Sequence, residues 1–312
     1  MDDGKLLVAV DVDGTLLNTE FEDVVDPRVC AAIAGVRDAG HLFALCTGRN
    51  RRSAAHVIAS AAGALDGVPQ ILLNGAMVID GGRGRVLRAA GLPRDILRRL
   101  VELFRAHEVM PLMFTEDDAG GGVTIERQPP NGVLDRYLRR RGEKVGAVRE
   151  VDDLLGHLPP AALEIGTIDL ADKVRELDAA IRRDLGDAVQ IVRTETLLAR
   201  DEYLWLEVYR ADCTKGSGLA LLADARGVPR ERIVAIGDNY NDLDMFAAAG
   251  HRVAMGNAPD EVRSAADRVA PHVAEQGAAV VLEEIAAGLY PVRGAARQES
   301  GDNPGGNPCA PS

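Results

Sequence analysis

Two short apolar runs in this chain each end in a cluster of acidic residues, and they lie more than two hundred residues apart. The first run, residues 6–10, leads into D-V-D-G-T at residues 11–15. The second, residues 232–236, leads into G-D-N-Y-N-D at residues 237–242. Short apolar runs bounded by turn residues are typical of buried parallel strands, and ligands bind at the carboxyl ends of such strands. We therefore expect the two clusters to meet at one edge of a parallel sheet.

Alternating strands and helices are predicted around both clusters. Strands at residues 5–10, 41–46 and 70–73 are separated by segments with the apolar spacing of helices. This β-α-β-α-β order predicts parallel strands joined by right-handed crossovers. The same alternation returns near the C-terminal end, with strands at 232–236 and 252–255. The sequence thus predicts an α/β fold with a doubly wound parallel sheet.

The alternation is interrupted between G-G-R-G-R at residues 81–85 and about residue 210. The strands predicted there are amphipathic or isolated, and two helices are predicted at 96–107 and 173–185. This pattern indicates an inserted α+β domain with a mostly antiparallel sheet. The predicted division is a core at 1–81 and 209–290, an insert at 82–208 and a disordered tail at 291–312.

Composition excludes several classes of partner. The net charge of −12 argues against a nucleic-acid or anionic membrane surface. No apolar stretch approaches the roughly 18 residues that span a bilayer. The four cysteines show no C-x-x-C spacing, which is typical of reduced thiols in a cytoplasmic protein.

The two acidic clusters are the strongest chemical signals. Asp11 and Asp13 lie two residues apart, so in an extended segment their carboxylates face one side. Such a pair suits a nucleophile with a proton donor, or two metal ligands. A calcium loop is excluded because its sixth position would be Leu16 instead of glycine, although a solvated acidic turn remains possible. The carboxylates and asparagines at 237–242 are costly after a buried strand unless they bind something.

Three further segments carry weaker signals. The turn at 47–49, T-G-R, could hold a phosphoryl oxygen through the Thr47 hydroxyl and backbone N–H groups, or simply cap a helix. Lys215 begins a predicted helix, where a solvated surface charge is the ordinary interpretation. Asn74 and the following glycine form a predicted turn. Most of these segments, like the acidic clusters, follow predicted strands of the α/β pattern. Their combination therefore indicates a functional site more strongly than any one of them alone.

The combined motifs resemble those of the haloacid dehalogenase superfamily of phosphohydrolases. The matching segments are D-x-D-G-T-L at 11–16, T-G-R at 47–49, Lys215 and G-D-x-x-N-D at 237–242. The insertion after N-G-A at 74–76 resembles the Cof-type branch, which has a type IIB cap. The resemblance covers about residues 1–80 and 200–288. It implies a Rossmann-like catalytic core with an inserted α+β cap.

The resemblance also implies roles for individual residues. Asp11 would attack phosphorus and form an aspartyl-phosphate, and Asp13 would protonate the leaving oxygen and then activate water. Thr47 and Lys215 would complete the catalytic set by binding non-bridging oxygens. The implied phosphate-binding residues are Thr47, Gly48, Arg49, Asn74, Lys215 and Asn241.

A Mg²⁺ cofactor follows from the same resemblance. Asp11, the backbone carbonyl of Asp13 and Asp238 would bind the ion, and Asp242 would support the metal shell. One departure from the branch concerns the loop at 270–277, where Val273 stands at the position of an expected asparagine. This departure argues against a contact between that loop and the metal site.

The sequence therefore predicts a Mg²⁺-dependent phosphatase, acting on a sugar phosphate or a similar small phosphomonoester. A phosphomutase of the same fold, a phospho-accepting signalling module and a non-catalytic metabolite sensor are the alternatives. We expect a cytoplasmic monomer or homodimer whose partner is a small phosphorylated metabolite, with no nucleic acid or membrane partner. Arg127 and Trp205 are candidate specificity residues of the cap, although a solvated face and ordinary sheet packing would also explain them.

Overall fold

Two large β-sheets and a small two-stranded one organise the part of the chain that the structure describes. A computed structural model describes residues 5–18, 24–82, 84–116, 122–141, 147–195 and 202–290. The N-terminal segment forms β1 (Leu7–Val10), α1 (Pro27–Asp38), β2 (Leu42–Cys46), α2 (Arg51–Ser60), β3 (Gln70–Leu72), β4 (Met77–Ile79) and β5 (Val86–Ala89). Local capping explains where the two helices begin, because the side chains of Asp26 and Asn50 accept hydrogen bonds from backbone N–H groups of α1 and α2.

The middle of the chain forms a separate set of strands and helices. These are β6 (Leu92–Pro93), α3 (Arg94–Ala106), β7 (Leu112–Thr115), β8 (Gly122–Glu126), α4 (Gly132–Arg141), β9 (Ala147–Val151), β10 (Ala161–Ala162), β11 (Glu164–Leu170), α5 (Ala171–Leu185), β12 (Val189–Glu195) and β13 (Tyr203–Arg210). The predicted helices at 96–107 and 173–185 correspond to α3 and α5.

The α/β alternation then resumes. The elements are α6 (Lys215–Arg226), β14 (Ile233–Gly237), α7 (Leu243–Ala248), β15 (His251–Ala254), α8 (Asp260–Ala265), β16 (Arg268–Val269) and α9 (Gly277–Ala286). Thr214 caps α6 in a reciprocal arrangement with Ser217. The Thr214 hydroxyl accepts from the Ser217 N–H, and the Ser217 hydroxyl accepts from the Thr214 N–H.

The larger sheet has the strand order β16-β15-β14-β1-β2-β3-β4-β5. Its strands from β16 to β3 are parallel, and β1 lies between β14 and β2 with Val10 beside Ile236. The predicted α/β fold is confirmed, and the two acidic clusters follow adjacent strands. The hairpin of β4 and β5 continues this sheet in antiparallel fashion, so residues 86–89 belong to a core sheet although the sequence placed them in the insert.

The smaller of the two large sheets has six strands in the order β12-β13-β11-β7-β8-β9. All its pairs are antiparallel except β8 with β9, so the prediction of a mostly antiparallel α+β insert is confirmed. Helices α3 and α5 pack on one face through a buried apolar cluster that includes Leu100, Phe104 and Leu177. Strand β9 was not predicted, because its five residues, A-V-R-E-V, lack the alternation of apolar and polar residues that indicates a strand.

Apolar clusters cover both faces of the larger sheet and join it to the insert. One cluster packs α1 and α9 on one face, and another packs α6 and α7 on the opposite face. A smaller cluster spans the boundary, with Leu72 and Met77 from the larger sheet against Leu163, Tyr209 and Cys213. The larger sheet and the insert are thus in direct apolar contact beside the ends of β3 and β13.

Cys30, Cys46 and Cys213 are buried free thiols. Cys309 and the predicted tail at 291–312 lie outside the described residues. In the described ranges, the helices are all too short or too polar to cross a bilayer.

One buried hydroxyl in the insert gives a test of this packing. Thr167 lies in β11, and among the described residues its Oγ1 is a buried oxygen for which no hydrogen-bond partner is found. Thr167→Val keeps the shape of the side chain and removes the desolvated hydroxyl, so it should raise the free energy of unfolding by about 1 kcal/mol. Urea unfolding followed by circular dichroism measures the change.

Thr167→Ala is the matched control, because it removes the hydroxyl and also leaves a methyl-sized cavity. It should be less stable than Thr167→Val. A loss of stability in Thr167→Val would mean that the hydroxyl is hydrogen-bonded in solution.

Candidate active site

The carboxyl ends of β1 and β14 bring the two acidic clusters together. The Asp11 N–H donates to the Ile236 carbonyl at 2.9 Å, so the two strands are still paired where the acidic clusters begin. The chain then turns at Gly14, whose φ is +86°, and a Cβ at this position would lie 2.2 Å from Asp238 Oδ2. Only glycine therefore allows the D-x-D-G-T turn to pass this close to Asp238.

Lys215 connects the two clusters. Its Nζ donates to Asp11 Oδ1 and to Asp242 Oδ1, each at 2.7 Å. Lys215 is 2% exposed and Asp242 is 0% exposed, so the interpretation of Lys215 as a solvated surface charge is wrong. Burial by itself lowers the pKa of this ammonium, but the charges of Asp11 and Asp242 outweigh burial and raise the pKa. The lysine is therefore held as a cation.

The carboxylates outnumber the cation that neutralises them. Burial, together with the charges of Asp242 and Asp13, raises the pKa of Asp11 to about 7 although Lys215 opposes the shift. Burial and the charges of Asp11 and Asp242 raise the pKa of Asp238 well above its usual value. Both shifts come first from burial and then from the neighbouring carboxylates, and a bound cation would oppose them by favouring the charged forms.

The donor set fits a metal ion. Asp11, Asp238 and Asp242 each offer an oxygen, and these oxygens lie within 4.8 Å of one another. Both oxygens of Asp242 already accept hydrogen bonds, Oδ1 from Lys215 and Oδ2 from the N–H groups of Asp238 and Asn239. Asp242 is therefore suited to orient the loop around an ion, while Asp11 and Asp238 are suited to bind it.

Asn257, for which no role was predicted, joins three parts of this site. Its Nδ2 donates to the Gly14 carbonyl at 2.9 Å and to Asp238 Oδ2 at 3.1 Å. Its Oδ1 accepts from the N–H of Val273 at 3.0 Å. The loop at 270–277 thus contacts Asn257 through its backbone, and Asn257 in turn contacts Asp238. The link to the acidic cluster is indirect and does not use the Val273 side chain, so the expectation that the valine argues against a direct contact with the metal site stays a prediction. The only signal in the sequence was the M-G-N-A segment after β15.

The T-G-R turn after β2 lies beside the first acidic cluster. Thr47 Oγ1 accepts from the Arg49 N–H at 3.1 Å, which fixes the hydroxyl inside the turn. The buried Arg49 guanidinium binds both oxygens of Asp13, with Nη2–Oδ1 at 2.6 Å and Nε–Oδ2 at 2.8 Å. Arg49, a predicted phosphate-binding residue, is therefore paired with Asp13, the residue predicted to transfer protons.

Asn74 and Asn241 form an amide pair on another side of the site. Asn241 Nδ2 donates to Asn74 Oδ1 at 3.0 Å, and a Cβ at Gly48 would lie 3.2 Å from Asn74 Nδ2. Among the residues predicted to bind phosphate, Gly48, Asn74 and Asn241 thus lie together, and the Asn74 N–H donates to the Thr47 carbonyl at 3.2 Å. Arg49 and Lys215 are instead held by carboxylates of the acidic clusters. The turn after β3 is more than a connection, because it directs a buried polar side chain into the site.

A cleft of about 480 Å³ opens between the insert and this amide pair. It reaches Asn74, Lys215 and Asn241, and its opposite wall is the edge strand β12 with the neighbouring α5. The lining from the insert comprises Arg182, Gln190, Ile191, Val192, Arg193 and Thr194. This volume is in the range of small-molecule sites.

The cap residues that the sequence singled out do not line this cleft. Arg127 pairs with Asp152 at 2.8 Å and is largely exposed. Trp205 packs edge-on against Tyr137, with 4.9 Å between ring centroids. The structure therefore supports the ordinary alternatives for both, a solvated face and sheet packing. The sequence could not identify β12 as the wall because it does not show which edge of the insert lies over the core.

A family model for haloacid dehalogenase-like hydrolases matches residues 8–282. The chain is 29% identical over 270 residues to the pyridoxal phosphate phosphatase YbhA of Escherichia coli, covering 84% of this chain and 92% of the relative. It is also 29% identical over 288 residues to the 5-amino-6-(5-phospho-D-ribitylamino)uracil phosphatase YitU of Bacillus subtilis, covering 91% and 98%.

The fold has matches among solved structures as well. The sugar phosphatase BT4131, of haloacid dehalogenase subclass IIB, superposes with a TM-score of 0.72 at 19% identity, covering 91% of this chain and all of that one. The inserted domain thus has the type IIB arrangement that the motifs implied. The chain belongs to the haloacid dehalogenase-like hydrolases, in the Cof-type branch, and is a phosphoric monoester hydrolase of small phosphorylated molecules.

Proposed function

We propose that this phosphatase is Mg²⁺-dependent and transfers the phosphoryl group of a sugar phosphate or similar metabolite to Asp11. The observation that carries the proposal is the buried contact of Lys215 with Asp11 and Asp242, beside Asp238. Lys215 holds one oxygen of Asp11 and thereby orients the other toward the substrate. It also supplies positive charge where the transferred group accumulates negative charge.

The proposed reaction has two displacements at phosphorus. In the first, a bond forms from Asp11 to phosphorus as the bond to the leaving oxygen breaks, and that oxygen takes a proton from Asp13. In the second, Asp13 takes a proton from water, and the water oxygen displaces Asp11 and releases inorganic phosphate. The first displacement leaves Asp13 deprotonated, as the second requires, and the second returns the proton that the next first displacement needs.

Arg49 has to move for this sequence to run. Both oxygens of Asp13 are bound to the guanidinium in this structure. An incoming phosphate would compete for Arg49, because guanidinium groups bind phosphate oxygens as well as carboxylates. Substrate binding would then release Asp13 for proton transfer.

Mg²⁺ is the metal that best suits an all-oxygen site in phosphoryl transfer. Asp11, Asp238 and the backbone carbonyl of Asp13 would hold the ion, and it would neutralise charge on the phosphoryl oxygens. Asn257 and Asp242 would keep these ligands in place through the hydrogen bonds they already make.

The leaving group would lie in the cleft beside β12. YbhA and YitU are named for pyridoxal phosphate and a phosphoribitylamino-uracil, and BT4131 is described as a sugar phosphatase. A cleft of about 480 Å³ would accept leaving groups of this size. Gln190 and Thr194 would offer hydrogen bonds to hydroxyl or carbonyl groups of such molecules.

Asp11→Asn should abolish turnover without unfolding the protein, because an amide does not attack phosphorus and binds metal poorly. We expect a loss of several orders of magnitude in kcat, more than the roughly 10²–10³ of a single electrostatic donor. Release of inorganic phosphate measures it. Asp187→Asn, the same exchange at an exposed position, should keep full activity. Substantial turnover by folded, metal-loaded Asp11→Asn would exclude Asp11 as the nucleophile.

Removal of the metal should be reversible. EDTA should eliminate phosphate release, Mg²⁺ should restore it, and Ca²⁺ should inhibit because its longer and less regular bonds disturb an in-line geometry. The test compares initial rates after dialysis and after addition of each ion. Activity that persists in EDTA would contradict the metal requirement.

Substrate selection should depend on the β12 wall. Gln190→Ala should change kcat/KM unequally across phosphorylated metabolites and hardly affect p-nitrophenyl phosphate, whose small leaving group reaches little of the cleft. Lys215→Ala should instead depress all substrates together, by about 10²–10³. Arg127→Ala is the control outside the cleft and should leave the ranking unchanged. A uniform loss in Gln190→Ala would show that β12 does not select substrates.

A further inference from the structure

Three polar side chains of the insert are buried directly beside Asn74. Glu164 lies on β11, and Glu207 and Tyr209 lie two residues apart on β13, so they share one face of the sheet. The pairing of Ile165 with Val208 places Glu164 next to Tyr209 across the two strands. Glu164 is 2% exposed, Glu207 8% and Tyr209 0%. Burying this much polarity is costly unless the groups are hydrogen-bonded in a defined arrangement.

The hydrogen bonds form a chain with a single direction. Asn241 Nδ2 donates to Asn74 Oδ1 at 3.0 Å, and Asn74 Nδ2 donates to the Tyr209 hydroxyl at 3.2 Å. The Tyr209 hydroxyl donates in turn to Glu164 Oε2 at 3.1 Å. Asn74 Nδ2 also lies 3.3 Å from Glu207 Oε2. Every donor points from the phosphate site toward the insert, so the acceptors at its end determine which way the Asn74 amide faces.

The backbone around Asn74 is held in an unusual conformation. Leu73 and Asn74 have φ values of 49° and 48°, and Gly75 follows at 92°. Consecutive residues other than glycine with positive φ are costly, and they persist where the surroundings impose them. Here the turn from β3 into β4 directs the Asn74 side chain between the phosphate site and the insert.

We propose that Tyr209 and Glu164 are positioning residues for phosphoryl transfer, which fix the Asn74 amide so that Asn241 is presented to the phosphate. This inference rests on the proposed phosphate-binding role of Asn74 and Asn241. Neither residue of the insert touches the reacting atoms; both act through Asn74. The insert would therefore help to position the residues that bind the phosphate as well as contact the leaving group.

The ionisation of Tyr209 agrees with this role. Burial and the charges of Glu164 and Glu207 raise the pKa of the Tyr209 hydroxyl well above its usual value. The hydroxyl therefore keeps its proton at neutral pH and can donate a hydrogen bond to Glu164. Burial and the charge of Glu207 raise the pKa of Glu164 as well, and a carboxyl group accepts through its carbonyl oxygen even when it is protonated.

The decisive experiment is a double-mutant cycle with Tyr209→Phe and Asn74→Ala. Tyr209→Phe should lower kcat/KM by about threefold to tenfold, the effect of one hydrogen bond. The factor should be the same for p-nitrophenyl phosphate and for larger metabolites, because the leaving group is not involved. In the Asn74→Ala background, Tyr209→Phe should cause no further loss. A full additional loss there, or a loss that varies with the leaving group, would overturn the proposal.

Variants of Glu164 distinguish positioning from packing. Glu164→Gln keeps an oxygen that accepts from Tyr209 and should retain nearly normal kcat/KM, whereas Glu164→Leu should reproduce the loss of Tyr209→Phe. Equal losses in Glu164→Gln and Glu164→Leu would contradict the proposal. Thr167→Val, a buried change on the opposite face of β11, is the control and should leave the kinetics unchanged. If Tyr209→Phe fails to fold, the two Glu164 variants decide the question.

Binding of inorganic phosphate separates this inference from the proposed function. Calorimetric titration of the Mg²⁺-loaded protein needs no turnover, and Tyr209→Phe should weaken phosphate binding by the same threefold to tenfold. If the wild-type protein released no phosphate from any ester, the proposed function would fail, while this comparison would still test the positioning role. Equal phosphate affinity in both proteins would refute positioning even if the enzyme is active.

Discussion

The contact of one buried ammonium with two carboxylates determines the arrangement of the whole site. Lys215 begins α6, Asp11 follows β1 and Asp242 lies in the loop after β14, so a single Nζ joins three separate elements. Removing one partner of such a buried group leaves a desolvated charge without compensation, which is strongly destabilising. The requirement to neutralise Lys215 therefore fixes how the ends of β1, β14 and the start of α6 meet.

Neutralisation is incomplete, and this incompleteness has a chemical use. Asp11, Asp238 and Asp242 share one lysine, so negative charge remains in a dry region, as the raised pKa values of Asp11 and Asp238 reflect. Residual charge of this kind favours a bound cation, and in the proposed reaction that cation would also offset the charge of the phosphate. In the proposed reaction, the same electrostatics would link metal binding, nucleophile orientation and charge stabilisation.

The insert contributes to the site from two directions. Its edge strand β12 forms the wall of the cleft, and its strands β11 and β13 carry the buried polar side chains that hold Asn74. An apolar cluster containing Leu163 and Tyr209 fastens these strands against the core. Since packing and hydrogen bonding occur at the same boundary, the orientation of the insert and the geometry around Asn74 are physically coupled.

The sequence by itself determined the α/β alternation, the inserted α+β domain and the four motifs, because these depend on local apolar periodicity and on residues within a few positions of strand ends. Only the tertiary structure showed that Lys215 is buried, that Arg49 is paired with Asp13, and that Asn257 reaches Val273. It also placed β12 at the cleft and Tyr209 beside Asn74. These contacts join residues far apart in the chain, and they depend on which face of the insert packs over the core, which no local pattern encodes.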